Sequence, residues 1–564
     1  FTIIVLSSIV ARPPVEVEQG TVMEVSLGGM LEERPAMGLM EQLSGTAGNS
    51  LWDVRRALAR AKNDDRIVAV KLKILSLQSG WASVAELQSY LDAFRSSEKP
   101  VYAYLGSDLI GEKEYTVALG ADKVWMPPGS AMFIDGLRAE VVFWRGTLDK
   151  LKIVPDVLAL KEYKSAGERF ARTEMSEHFR ESLTSLLEDV QDWFVESVAS
   201  RRSPDVQTVQ TQINRGLLTA DEAKAAGWVD AVGYADELEA ELQTAVSIEK
   251  YKRISHSDYL LRAEPRPTTR SKLAVVFAEG LIVSAGTGEL PFQRGILSGP
   301  RVAAAIESAV KDKNVKAIVF RINSGGGSAI GSDCIWRAVQ KARQAGKPVV
   351  ASMSDVAGSG GYWIAMGADK IIAQPQTITG SIGVVMLKLN LRGFYELIGA
   401  KVDDVTLASN AGMFSMFENL SDEQRALLTS WMEDVYEQFK QKAGTGRGLS
   451  LDTIENIAKG RVWSGKQALE HKLIDSLGGI DEAISEAKRL ANIPPSEEVS
   501  LDIYPKPRTW LERFFAQEIP IAMLRGAGSA DLVRRFADGR LLEPLLRDLS
   551  TPQPLALIPN INIR

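Results

Sequence analysis

The sequence predicts an α/β protein built as a tandem duplication, with a further helical tail at its C-terminal end. Three observations carry this. Short β-branched runs alternate with amphipathic helices through most of the 564 residues, the pattern of largely parallel strands joined by crossover helices. The two halves match one another segment by segment. They differ at the few points where chemistry would sit.

The match is direct. "DRIVAVKLKI" (Asp65–Ile74) lies over "NVKAIVFRIN" (Asn314–Asn323), "KPVYAY" (Lys99–Tyr104) over "KPVVAS" (Lys347–Ser352), and "ALGADKVW" (Ala118–Trp125) over "AMGADKII" (Ala365–Ile372). "LLTADEAKAAGWVD" (Leu217–Asp230) lies over "VWSGKQALEHKLID" (Val462–Asp475). The repeats are placed at residues 21–247 and 272–504, with a connection over 248–271 that contains Pro265 and Pro267.

In the first repeat, strands are predicted at Val22–Leu27, Ile67–Leu72 and Val101–Leu105, with helices at Leu51–Lys62 and Ala82–Arg95. In the second, strands fall at Leu273–Gly280, Ala317–Asn323 and Pro348–Ser354, with helices at Arg301–Asp312 and Asp333–Ala345. A longer helix follows in each half, over Ser176–Ser200 and Ser421–Ala443. Residues 505–564 match nothing in the first repeat. Their "TWLERFFAQEIPIAML" and "DLVRRFADGRLLEPLLRDL" are amphipathic, which suits packing on the body or on a neighbouring subunit, with a membrane or substrate channel as the sharper reading.

Composition narrows the function classes. The chain is 45% hydrophobic and 24% charged, with a net charge of −6, so nothing in its charge favours nucleic acid. One cysteine, Cys334, excludes an internal disulfide and a cysteine metal cluster, and the histidines, His178, His256 and His471, fit no metal-ligand spacing. Residues 1–20 open on the apolar run "FTIIVLSSIVA" and continue as a linker. The run is too short to span a bilayer as a helix, which takes about 17–25 residues. It reads as the outer end of a longer membrane anchor, against a buried first strand or a signal-peptide remnant.

The second repeat carries "DVAGSGGYW" (Asp355–Trp363) where the first has "DLIGEKEYT" (Asp108–Thr116). Ser359 thus follows a strand, precedes a helix and aligns with Glu112. Glycines at 358, 360 and 361 permit a tight turn, and the helix start offers backbone N–H groups to a developing oxyanion. The plainer reading is a helix cap. "RINSGGGSAIGSD" (Arg321–Asp333) puts three glycines at another strand end, readable as the other half of an oxyanion hole or as a flexible turn. It lacks the spacing of a phosphate loop.

A serine nucleophile needs a base, and no histidine sits in a segment that suggests a partner. A lysine serves if burial lowers its pKa enough for a neutral amine to accept the hydroxyl proton. Lys164 stands out because "EYKSAGERF" (Glu162–Phe170) replaces "NAGMFSMFE" (Asn410–Glu418), which has Gly412 near the lysine position. Lys161 is the rival. A fold that divides a serine and a lysine between its halves predicts one composite site per pair of repeats.

Together "INSGGGS", "DVAGSGGYWIA", "TGSIGV" (Thr379–Val384), "YKSAGERF" and "GRVWSGKQALEHKLIDSLGG" (Gly460–Gly479) resemble bacterial signal peptide peptidase A, or protease IV, in its long tandem-repeat form. The resemblance spans roughly residues 20–505. It implies a Clp-protease/crotonase-like fold of ββα repeats and a Ser/Lys dyad, with Ser359 as nucleophile and Lys164 as base. By the same match, Gly327 and Gly360 would form the oxyanion hole and Ser381 would orient the lysine. Gly325 replaces the family's usual proline and Gly358 its usual alanine. The resemblance further implies no metal or organic cofactor, apolar signal peptides as substrates, a homo-tetramer, and a place on the outer, periplasmic side of the bacterial cytoplasmic membrane. A crotonase-like acyl-CoA enzyme and a non-catalytic membrane scaffold are the alternatives. The first would need neither Ser359 nor Lys164.

Overall fold

The computed structural model describes residues 17–35, 50–202, 205–262, 271–284, 295–505 and 555–557. The expected anchor at residues 1–11 lies outside them. So does the C-terminal tail, apart from 555–557, which form a strand where a helical tail is expected. Among the described residues no helix is long and apolar enough to cross a membrane.

The chain packs as two compact units whose limits differ from those of the repeats. One comprises Phe1–Gly136 with Val190–Pro267, the other Leu137–Asp189 with Thr268–Arg564. A stretch of the first repeat, Leu137–Asp189, therefore belongs to the unit built from the second.

In the first unit a six-stranded sheet runs in the order Lys252–Ser255, Thr21–Gly29, Ile67–Leu77, Val101–Leu105, Lys123–Met126, Ala231–Val232. Every pairing in it is parallel. The connection at 248–271 thus supplies an edge strand, and a helix at His256–Arg262 follows it. A smaller sheet joins Leu109–Ile110, Ala131–Phe133 and Leu217–Thr219.

The second unit enlarges this plan. Ser500–Tyr504, Lys272–Glu279, Val315–Ser324 and Val349–Gly358 lie side by side and parallel. Ile378–Gly380 then pairs in parallel with the last three residues of Val349–Gly358, and Val462–Ser464 closes on it antiparallel. These strands are covered on both faces. Val315–Ser324 is accordingly buried along nearly its whole length, as parallel strands must be. The helix Gly299–Lys311 starts with a proline in its first turn and buries Val302, Ala303, Ala305, Ile306 and Ala309. Each large aliphatic side chain so buried contributes about 1.5–3 kcal/mol. A second sheet runs in the order Ile296–Ser298, Leu281–Val283, Gly326–Ser328, Leu555–Leu557, Val385–Asn390, Val154–Ala159.

The sequence places these elements well, with two informative differences. The helix expected from Asp333 begins at Ala329, because Ser328 caps it by accepting from the Gly331 N–H. The strand expected to end at Ser354 runs on to Gly358, which delivers the next residue, Ser359, to the C-terminal end of an interior strand.

Candidate active site

Ser359 sits between the Val349–Gly358 strand and the Gly360–Ala365 helix with φ 55° and ψ −114°. A non-glycine residue there costs about 1–3 kcal/mol and persists only where its surroundings over-determine it. They do so here. The Ser359 N–H donates to Gly380 O at 2.8 Å, and its carbonyl accepts from Trp363 N at 2.8 Å. The short helix is fixed by two buried anchors, Tyr362, whose hydroxyl donates to Leu473 O at 3.0 Å, and Trp363, which packs on Phe439 at 4.4 Å between ring centroids. Glycine is required on its inner side. A Cβ on Gly361 would lie 2.2 Å from Ser324 O, and one on Gly360 would lie 3.0 Å from Gly327 N.

Lys164 arrives from the other repeat. The strand Val154–Ala159 pairs antiparallel with Val385–Asn390, from Val385 against Ala159 to Asn390 against Val154. Asp156 on that strand accepts from the Leu420 N–H at 3.0 Å and pairs with Arg425, which ties it to the second long helix. Leu160 N continues the ladder onto Val384 O. Four residues later the Lys164 amine lies 2.7 Å from Ser359 Oγ, 3.0 Å from Ser381 O and 3.0 Å from Ser381 Oγ.

All three side chains are buried, Lys164 at 2% exposure and both serines at 0%. Burial pushes the Lys164 amine well below the ordinary lysine value, because the charged form loses its hydration. The geometry suits a neutral amine. Such a group has two N–H donors and one lone pair; the two Ser381 oxygens accept the donors, which leaves the lone pair facing the Ser359 hydroxyl. Ser381 is itself held at φ 52°, with its N–H on Arg461 O at 2.7 Å.

Gly327 and Gly360 come together beside Ser359. Gly327 has φ 150°, and a Cβ there would lie 2.1 Å from Ile282 O, so only glycine fits. The Gly326–Ser328 strand pairs antiparallel with the tail strand, Gly327 opposite Ala556, while Val385 pairs with Leu555 on the other side. A peptide strand therefore already lies in the gap between the triple-glycine loop and the strand Val385–Asn390, on whose far edge the lysine-bearing strand pairs.

The remaining candidates fall elsewhere. The Lys161 amine faces Glu455 at 3.5 Å and the Tyr436 ring. His178 packs edge-on against Tyr163, and His471 packs on Trp463. Glu112, aligned with Ser359, is a buried carboxyl that accepts from Gly136 N at 3.0 Å, with its pKa pushed up to about 6 by burial. Gly412 lies in a turn outside any strand.

Sequence reasoning missed two glycines that shape the lysine's seat. A Cβ on Gly383 would lie 3.1 Å from Lys164 Cδ, and one on Gly460 would lie 2.6–2.7 Å from Lys164 N, Cα and Cβ. Both stand inside the motifs that carry the family resemblance.

Comparison with known proteins gives the family. The model of peptidase family S49 matches residues 93–249 and 341–494, one match in each repeat, and together they hold Lys164, Ser359 and Ser381. A chloroplastic serine protease SPPA from Arabidopsis thaliana is 32% identical over 508 residues, covering 89% of this chain and 74% of that protein. Protease 4 from Salmonella typhi is 32% identical over 511 residues, covering 86% and 81%. A putative signal peptide peptidase SppA from Enterococcus faecium is 30% identical over 223 residues, covering 39% of this chain and 64% of its own length.

Proposed function

The chain belongs to peptidase family S49, as a serine protease of the signal peptide peptidase type, and we propose that it is an endopeptidase with a Ser359/Lys164 dyad acting on short, apolar, extended peptides. The observation that carries the dyad is the buried Lys164 amine 2.7 Å from Ser359 Oγ. The steps follow from the geometry. Ser359 Oγ attacks the scissile carbonyl as Lys164 takes its proton. The N–H groups of Gly327 and Gly360 receive the negative oxygen. Lys164 then passes the proton to the departing amine and the C–N bond breaks, leaving an acyl ester on Ser359. Water adds to that ester with Lys164 again as base. The C–O bond to Ser359 breaks, the serine is reprotonated and the new carboxyl terminus leaves.

The substrate reading is supported by the tail strand. Residues Leu555–Leu557 read Leu-Ala-Leu and pair on both edges beside the nucleophile. Backbone pairing of this kind holds any extended peptide, and alternate side chains choose among them. The purified chain is expected to cleave a short apolar peptide. A peptide must displace 555–557 to use this slot, so deleting residues 551–564 should lower KM severalfold with kcat retained. Failure to cleave sinks the proposal. An unchanged KM after deletion moves the substrate elsewhere.

A homo-tetramer, with the body on the outer side of a bacterial cytoplasmic membrane, completes the proposal. The location rests on the resemblance and on the apolar run at residues 1–11. The assembly draws support from residues 402–407, the second repeat's counterpart of the Val154–Ala159 strand. They pair with no strand among the described residues and expose Val405 at 91% and Leu407 at 94%. Val405→Asp with Leu407→Asp is expected to shift the protein from oligomer to smaller species by light scattering. An unshifted oligomer would place the interface elsewhere.

A further inference from the structure

The Lys164 loop is seated on a three-residue turn, Lys459–Gly460–Arg461, that touches both the base and the serine holding it. Lys459 O accepts from Tyr163 N at 3.1 Å, on the residue before the base. Gly460 N donates to Ile382 O at 2.8 Å, and Arg461 O accepts from Ser381 N at 2.7 Å, on the residue that holds the amine. The turn is thus the backbone bridge between the two partners of the lysine seat. Its own ends are fixed. Lys459 N donates to the Tyr436 hydroxyl and its amine pairs with Glu162 at 3.0 Å. The Arg461 guanidinium lies over Tyr163 at 5.0 Å and over Trp463 at 4.3 Å, and bonds Glu181 at 2.7 Å. The Tyr163 hydroxyl donates to the same carboxylate at 2.9 Å.

A glycine near the corresponding strand of the first repeat supplies a comparison matched in φ. Gly216 stands one residue before the Leu217–Thr219 strand, over Arg461 in the repeat match, and Gly460 two residues before Val462–Ser464; the two are not aligned, yet they share nearly the same φ, 81° and 84°. A Cβ on Gly216 would meet only Asp135 Cβ, at 3.5 Å, an ordinary contact. A Cβ on Gly460 would strike the Lys164 backbone at 2.6–2.7 Å. The shared φ accounts for a glycine at both places. The close approach to the base exists at one.

We propose that the Lys459–Arg461 turn is the positioning element of the catalytic base: Gly460 sets the distance of Lys164 from Ser359, and the Arg461–Tyr163 stack keeps the lysine loop closed on it. This rests on the dyad reading above. A shift of the loop by the width of a methyl group separates amine from hydroxyl and admits water to the amine. Misplacement of about 1 Å in a reacting pair costs on the order of 100-fold, and a hydrated amine recovers a higher pKa.

The test is Gly460→Ala beside Gly216→Ala, which bears the same φ strain without the collision. Gly460→Ala is expected to lower kcat on the order of 100-fold with KM nearly unchanged, and to move the rising limb of its pH–rate profile to higher pH. Gly216→Ala should keep the wild-type kcat and limb. Arg461→Gln leaves the backbone intact and serves if Gly460→Ala does not fold; it should shift the limb the same way with a smaller loss. Arg461→Lys, which keeps the charge toward Glu181, should restore part of it. Wild-type kcat in Gly460→Ala or in Arg461→Gln overturns the proposal, as does a loss of kcat with the limb unmoved. Lys164→Met, measured in parallel, separates the two readings. If it retains activity the dyad itself falls; if it is inactive while Gly460→Ala and Arg461→Gln match wild type, only the positioning role falls.

Discussion

Ser359→Ala is expected to lose peptide cleavage by on the order of 10⁵–10⁶ in kcat/KM, the scale seen when a serine nucleophile is removed from a dyad or triad. The chain should still fold. The substitution removes one buried oxygen and keeps the Cβ that the turn already accommodates at φ 55°. The amine of Lys164 keeps both Ser381 oxygens as partners. A serine-directed phosphonate should add one equivalent to the wild type, at Ser359, and none to the variant. Ser359→Gly makes a sharper case. Glycine adopts a positive φ without strain, so this variant should be as inactive as Ser359→Ala and more stable than it, by about 1 kcal/mol. Substantial cleavage by purified Ser359→Ala would remove the nucleophile from the mechanism and leave its strained backbone without a purpose.

The repeats and most elements were legible because they rest on local patterns. A strand such as Val315–Ser324 has the β-branched apolar run Ala317–Phe320 at its centre, and a helix such as Gly299–Lys311 shows its buried stripe at helical spacing. Ser359 and Lys164 were legible for a different reason. The duplication supplies an internal control, and each is a departure of one copy from the other. That signal locates difference and says nothing of distance. The pairing that brings the two together, Val154–Ala159 on Val385–Asn390, joins segments more than 200 residues apart, and register at that range has no local signature. The same logic explains what was missed. Gly460 lies over Arg215 with Gly216 beside it, so the two copies read as one glycine displaced by a residue, and the crowding against Lys164 has no signature in the sequence. The strand at Leu555–Leu557 was overlooked because its pairing groups are backbone N–H and C=O, which every sequence carries.

Lys164→Met is expected to be the second severe loss, on the order of 10²–10⁴ in kcat/KM, since it removes the proton acceptor and keeps an apolar stem of similar length. The wild type should show a rising limb in kcat/KM at a pH well below the ordinary lysine value of about 10.4, because the amine must be neutral to act and burial lowers its pKa. The variant's residual rate should lack that limb. Stability should move the opposite way from activity. The unfolded chain binds a proton on Lys164 up to about pH 10.4, whereas the folded chain releases it at lower pH. Between those two values the unfolded state holds more protons, so the wild type loses stability as pH falls through that window and bears the full penalty below it. Each unit of depression is worth about 1.4 kcal/mol. Lys164→Met escapes the penalty and should melt above the wild type at neutral pH, with the gap closing as pH rises toward 10.4. Lys161→Met is the control, since that amine is exposed and faces Glu455. A large loss in Lys161→Met with near wild-type cleavage in Lys164→Met would transfer the base to the wrong side of the loop and break the mechanism. A gap between Lys164→Met and the wild type that stays constant from neutral pH to about 10.4 would show that the buried amine's pKa is not lowered, and a charged lysine in that seat cannot take the proton from Ser359.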